Sequence, residues 1–251
     1  MSGRVYLVGA GPGAVDLLTL RGARLLGAAG IVFHDALVPA EILALAPQAQ
    51  KVPVGKRCGR HSTTQRFINK RLADAARTHE VVVRLKGGDP MLFGRAQEEI
   101  EYLQQRDIPV EVVPGVTAAL AAAAQTRVSL TQRGIARSVA FVTPRVGQGA
   151  APSSWLDAAC AADTVAINMG AGDAPAIARA LLDAGKPAST PVLVVENASR
   201  EDGSTLTGTL AELPLLAERL GGGAAMILLG EVLRPAAAVA EQPTKRKAQA
   251  R

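Results

Sequence analysis

Short runs of aliphatic and β-branched residues alternate with longer amphipathic stretches through the first half of the chain. Val5–Val8 has the character of a buried strand, and Gly9–Gly13 of a glycine-rich turn. Asp16–Ala28 follows as a helix, with Leu17, Leu18, Leu20, Ala23 and Leu25 on one broad apolar face. The alternation continues: strand Ile31–Phe33, short helix Ala40–Ala46, strand Lys51–Val54, then a helix over Ser62–Thr78 that opens on a hydroxyl cap. Glu80–Leu85 is a strand, Gly94–Gln105 a helix, Val110–Val113 a strand and Val116–Gln125 an alanine-rich helix. Strands that alternate with helices predict βαβ units and a parallel sheet.

The second half has a different rhythm. Strands are expected at Ser138–Val142, Thr164–Ile167, Pro191–Val195, Thr205–Thr209 and Ala225–Leu229, with only two clear helices among them, Ala174–Ala184 and Leu210–Arg219. A turn-like Asn197–Gly203 segment separates two successive strands, so this half predicts a mixed sheet. The pattern predicts an α/β chain of two lobes meeting near residues 114–118. They comprise residues 1–114 and 115–235, followed by a low-complexity tail over 236–251.

Composition changes this picture little. The chain has 251 residues, 48% of them hydrophobic, enough for a substantial core, but only 3% aromatic. So few aromatic rings argue against a nucleic-acid binder that stacks bases. Lys245, Arg246, Lys247 and Arg251 against Glu241 leave the last sixteen residues at +3, half of the formal +6, in a segment that reads as disordered. Cys58 and Cys160 form no C-x-x-C pair and read as ordinary buried or half-buried thiols, while His34 and His79 lack a partner at metal-ligand spacing. A strand starting at Val5 leaves no room for a signal peptide, and the longest apolar run, near Val116–Ala124, falls far short of the ~20 residues that span a bilayer. A cytoplasmic protein with neither membrane nor nucleic-acid partner is the expectation.

Gly9-Ala-Gly-Pro-Gly-Ala14 fits G-x-G-x-x-A between a strand and a helix, and Asp35 ends the next strand about 20 residues on, as dinucleotide-binding folds require. On these residues alone a nicotinamide or flavin enzyme is a candidate. Pro12 counts against it, because it stands where a backbone N–H should meet a pyrophosphate and has none to give.

Arg84-Leu-Lys-Gly-Gly-Asp-Pro-Met-Leu-Phe-Gly-Arg95 is more specific. Its glycines let a ligand approach the backbone, and Asp89 can accept hydrogen bonds from ligand hydroxyls or an amine. A plain strand–turn–helix connection accounts for Gly and Asp-Pro but not for the two basic residues and the long ordered motif around them. With Val5–Gly13, Asp35–Val38, Val54–His61 and Val112–Ala118, this segment resembles the tetrapyrrole methylase family, over a stretch from about Val5 to Val232.

That resemblance implies a two-lobed fold with S-adenosylmethionine bound in a cleft between the lobes and S-adenosylhomocysteine as product. It implies that Pro12 walls the cofactor site, that Gly87, Gly88 and Asp89 line it, and that Leu92, Thr117, Ala118, Met169 and Ala198 contribute to it. It implies, too, methyl transfer to two pyrrole carbons of uroporphyrinogen III, with Asp35 as proton acceptor and Lys56 as proton donor, and a homodimer. The chain departs from the family pattern at Ala14, Gln132, Thr143-Pro-Arg145 and Ala198, which bears on substrate contacts.

A sulfonium methyl is already electrophilic, so positioning a carbon nucleophile is the main task and no metal site is expected. Arg57, Arg60 and His61 directly follow Lys56 and form a cluster able to pair with several substrate carboxylates. Two alternatives stay open: a sister methyltransferase acting on a later precorrin, and a non-catalytic S-adenosylmethionine- or dinucleotide-binding protein.

Overall fold

A computed structural model describes residues 3–55, 65–146 and 153–234. The chain divides into two compact units, Met1–Ala118 and Ala119–Arg251. The proposed tail over 236–251 lies outside the described residues.

In the first unit, β1 (Arg4–Gly9), β2 (Ile31–His34), β3 (Gln50–Pro53), β4 (Val81–Lys86) and β5 (Val110–Val113) form a sheet in the order β3-β2-β4-β1-β5. Every pairing is parallel, as the alternating pattern predicts. Side chains of successive strand residues point to opposite faces, so each strand feeds two layers. Leu7, Phe33 and Val82 pack against Ile68 and Leu72 of α3 (Gln65–Ala75) and Leu103 of α4 (Ala96–Gln104). On the other face Val8, Val32, Val83 and Leu85 pack against Leu26 of α1 (Leu20–Ala28) and Ile42 of α2 (Ala40–Leu43). With both faces covered, the parallel strands are near-continuously apolar. The exception is β4, which carries Arg84 and Lys86 on the face that also holds Val82.

The expected single helix over Asp16–Ala28 is two elements. Val15–Leu17 is a 3₁₀ turn, Leu18 is extended, and α1 starts only at Leu20, where the Thr19 hydroxyl accepts the Gly22 N–H at 3.1 Å. A hydroxyl at the N-cap competes well for the first free amides of a helix, and here it resets the register. Leu20, assigned to the apolar face, is consequently 84% exposed, while Leu26 is fully buried.

In the second unit, β6 (Val139–Val142), β7 (Thr164–Ile167), β8 (Pro191–Glu196), β9 (Ser204–Thr209) and β10 (Ala225–Gly230) form a sheet in the order β6-β7-β10-β8-β9. Only β6 and β7 pair in parallel, so the sheet is mixed, as expected. α5 (Ala118–Thr126) precedes it, and α7 (Ala174–Asp183) and α8 (Leu213–Glu218) place Ile177, Leu181, Leu213 and Leu216 against Val165, Val194, Ile227 and Leu229. The pattern missed α6 (Trp155–Ala161), a seven-residue helix whose one buried residue is Ala159, too little apolar face to read. Cys160, on the same helix, is exposed and not buried as expected.

Asp163 ties the starts of β6 and β7. Its Oδ2 accepts the Arg137 N–H at 2.9 Å, the Ser138 N–H at 3.0 Å and the Ser138 hydroxyl at 2.8 Å. The Arg137 amide first, then the Ser138 donors, hold this carboxyl below its ordinary value of 3.8. A carboxyl lowered in the folded state stabilises the fold above the unfolded value, and that contribution is lost as pH falls through the lowered one. Thermal unfolding of Asp163→Asn should therefore lose stability less steeply than the parent below about pH 4. Parallel curves in that range would contradict this role for the carboxylate.

Candidate functional site

Parallel α/β sheets place their ligand sites beyond the carboxyl ends of the strands. In the first unit that edge carries Pro12 after β1, Asp35 after β2, Gly87, Gly88, Asp89 and Leu92 after β4, and Thr117 and Ala118 after β5. The sheet order sets the loops of β1, β4 and β5 side by side.

Main chain meets main chain there. Gly11 and Gly88 exchange backbone hydrogen bonds, Gly88 N–H to the Gly11 carbonyl at 2.8 Å and Gly11 N–H to the Gly88 carbonyl at 3.2 Å. A Cβ on Gly9 would stand 2.6 Å from Gly115 Cα and 2.7 Å from the Gly88 carbonyl oxygen, and one on Gly115 would intrude on that same oxygen. The glycines of the first loop therefore admit a neighbouring backbone. They do not cradle a phosphate: the Ala10 and Gly11 N–H groups are bonded to Lys86 and Gly88, Pro12 has none, and the next α-helix starts eight residues after Pro12. Asp89 serves the same junction, with Oδ1 accepting Met91 N–H at 2.7 Å and Oδ2 accepting Gly115 N–H at 2.9 Å. The loops of β4 and β5 are thus stapled by the residue that the motif offers to a ligand.

Gly87 differs from its neighbours. It is exposed, and nothing lies within 4 Å of where its Cβ would be. Its N–H donates to Asp35 Oδ2 at 3.4 Å, while Asp35 Oδ1 accepts from Arg84 Nη2 at 2.5 Å. Two residues singled out from different motifs therefore touch.

Behind Asp35 lies a buried network of charges that no motif announces. Arg84 and Lys86 are 3% exposed and Glu99 is fully buried, three of the four buried charged residues among those described. Arg84 Nε donates to Glu99 Oε1 at 3.2 Å, and Lys86 Nζ reaches the two oxygens of Glu99 at 3.1 and 3.2 Å. Gln65 Nε2 adds a third donor to Glu99 at 3.0 Å. Burial pushes the Lys86 ammonium below its ordinary range and Arg84 adds to that, with Glu99 and Asp35 opposing. The available signal was the pair of cations at alternate positions of an otherwise apolar strand, since buried cations demand a buried anion. Outside this core, Arg95 forms an exposed two-point pair with Glu98 at 2.7 and 2.8 Å.

In the second unit, Met169 follows β7 and Ala198 follows β8. Both strands run antiparallel to β10, so these residues share one edge of the mixed sheet. Met169 is 46% exposed with φ 56°, and the buried Ala198 is flanked by Asn197 at φ 49° and Ser199 at φ 70°. Glu196 fixes that edge by accepting Gly221 N–H at 2.9 Å and Gly223 N–H at 2.6 Å. Phe93 and Arg95, beside Leu92, also have positive φ, so five of the seven such non-glycine residues among those described adjoin the expected cofactor segments. Strain of this kind concentrates at ligand sites. Lys56, Arg57, Arg60 and His61 lie outside the described residues.

Fold and site define a class. The chain belongs to the Tetrapyrrole (Corrin/Porphyrin) Methylases, whose family model matches residues 4–214. It is 43% identical over 235 residues to the siroheme synthase of Pseudomonas fluorescens, covering 93% of this chain and 51% of that protein. The chain spans about half the length of the curated relatives it matches. Among solved structures, uroporphyrin-III C-methyl transferase from Thermus thermophilus, complexed with S-adenyl homocysteine, aligns at TM-score 0.82 and 42% identity over 93% of this chain and 100% of that one. A cobalt precorrin-4 methyltransferase aligns at TM-score 0.81 and 30% identity over 92% and 95%.

The glycines make opposite forecasts. Gly115→Ala should destabilise the fold by about 1–3 kcal/mol through overpacking against the Gly88 backbone. Gly87→Ala, which faces open space, should stay within about 0.5 kcal/mol of the parent. Denaturant unfolding checks both, and equal losses would show that the Gly87 backbone is not open.

Proposed function

We propose that this chain transfers methyl groups from S-adenosylmethionine to two pyrrole carbons, C2 and C7, of uroporphyrinogen III, giving precorrin-2 for sirohaem or cobalamin synthesis. The observation that carries this is 42% identity along the whole length of a uroporphyrin-III C-methyl transferase chain seen with S-adenyl homocysteine. Alignment with a cobalt precorrin-4 methyltransferase at 30% identity keeps a later precorrin as the second reading.

Two features of the described residues support the cofactor reading. Gly87 exposes bare backbone at the carboxyl edge of the first sheet, and half-buried Pro12 stands on the loop that Gly11 pairs to Gly88. Pro12, Gly87, Gly88, Asp89, Leu92, Thr117 and Ala118 are the proposed cofactor residues of the first unit, and the resemblance adds Met169 and Ala198. When bound, S-adenosylmethionine supplies an electrophilic methyl on a sulfonium. The protein's own tasks are to orient the acceptor carbon, exclude water and manage one proton for each methyl added. Attack by a pyrrole carbon as an enamine leaves the ring system with a proton to lose. Asp35, whose carboxylate is held by Arg84 and the Gly87 amide, takes that proton. Lys56 is the proton donor that the resemblance implies, acting in a matched exchange with Asp35 so that one net proton leaves for each methyl added, and Arg57, Arg60 and His61 pair with the substrate's carboxylates. The reading includes a homodimer working in the cytoplasm, without nucleic acid. None of the described helices is long and apolar enough to cross a membrane.

Asp35→Asn keeps the shape and one acceptor for Arg84 but removes the basic carboxylate. Turnover of uroporphyrinogen III should fall by about 10²–10⁴, while calorimetry shows S-adenosylhomocysteine binding retained and neither NAD nor FAD bound. Undiminished turnover in a folded variant would remove Asp35 from the chemistry. Nicotinamide or flavin binding without S-adenosylhomocysteine binding would overturn the methyltransferase reading itself.

A further inference from the structure

Asp35 is the outermost member of a chain of fixed polar groups that begins deep in the helix layer. Asn69 Nδ2 of α3 donates to the Glu98 carbonyl of α4 at 3.1 Å, and Gln65 Nε2 bonds both Asn69 Oδ1 at 2.9 Å and Glu99 Oε1. Glu99 then receives Lys86 and Arg84. All three nitrogens of the Arg84 guanidinium are engaged: Nε by Glu99, Nη1 by the Leu85 carbonyl at 3.1 Å and Nη2 by Asp35. A planar fork held at three points has one orientation, which an ammonium in its place would not have. Side-chain exposure rises along the chain, from 0% at Glu99 through 4% at Arg84 to 31% at Asp35, so among these charged groups only the last meets solvent appreciably.

Buried ion networks are a poor means of stabilising a fold, since well-packed apolar residues of similar volume are often as good or better. Here the network ends on the one carboxylate that the chemistry needs. We infer that Arg84 is a positioning residue for Asp35, with Glu99 as its buried anchor; the inference rests on the proposed role of Asp35 as proton acceptor. Through Arg84, Glu99 sets where Oδ1 of Asp35 stands, and Oδ2 is thereby turned to the Gly87 amide at the edge of the proposed cofactor site.

A double-mutant cycle on the full chain, with uroporphyrinogen III and S-adenosylmethionine, tests this. Arg84→Met should lower kcat about 10–100-fold, the scale of a misplaced reacting group, with KM and S-adenosylhomocysteine affinity within about threefold of the parent. In the Asp35→Asn background the same change should cost less than about threefold, because residues acting as a unit do not add. Arg84→Lys keeps the positive charge opposite buried Glu99, which guards against a misfolded methionine variant, yet should leave kcat low because one ammonium cannot reproduce the fork. A crystal structure of Arg84→Lys or Arg84→Met should show the Asp35 carboxylate turned from the Gly87 amide, a readout independent of activity. Equal losses in both backgrounds, parental kcat in either Arg84 variant, or an unmoved Asp35 would overturn the inference. Additive losses with an impaired Asp35→Asn enzyme would sink the positioning role alone. Full activity of Asp35→Asn would sink the reading of Asp35 as the base, and the inference with it.

Discussion

A carboxylate with no access to water governs the first unit. Glu99 is wholly buried, and its charge is tolerated only because Arg84, Lys86 and Gln65 converge on it. The dependence is mutual: two cations on the inward face of an apolar strand would be costly without that anion. Removing one partner leaves an uncompensated charge in the interior, so helix α4 and strand β4 are locked in register by electrostatics as well as by packing. With Asp35 included, the four charges balance, and the only one with substantial solvent access stands beside Gly87. Placement of the proposed base follows from the interior of the sheet, not from the loop that carries it.

A second constraint is steric. The loops leaving β1, β4 and β5 approach so closely that Gly9 and Gly115 cannot carry a side chain without displacing the Gly88 carbonyl. Asp89 closes the same junction from its side chain. Beside this apposition Gly87 is left bare, with nothing within 4 Å of where its Cβ would be. In the second unit Glu196 holds the 221–223 turn, and Met169, Asn197 and Ser199 adopt left-handed backbone.

Much of this was legible in the chain. The switch from βαβ alternation to strand-rich sequence near residue 114 corresponds to a parallel sheet followed by a mixed one, because periodicity reports burial directly. The Gly9–Ala14 loop was ambiguous: glycine spacing shows that backbone comes close, but not whether it approaches a phosphate or another strand. Only Pro12 pointed to the second case. The Thr19 cap went unread because a hydroxyl within an apolar stretch gives no sign of competing for the helix start, and its effect was to turn Leu20 outward. Glu99 was invisible for another reason. Its partners lie 13 and 15 residues away on a different element, and a glutamate in a helix ordinarily faces solvent.

The central claim, that the chain methylates uroporphyrinogen III twice, is tested most directly by the mass of the product. Purified protein incubated with uroporphyrinogen III and methyl-labelled S-adenosylmethionine should yield a tetrapyrrole carrying two labelled methyl groups, preceded in time by a species carrying one. A substrate that gains none, or a reaction that stops at one methyl with cofactor in excess, would contradict the account.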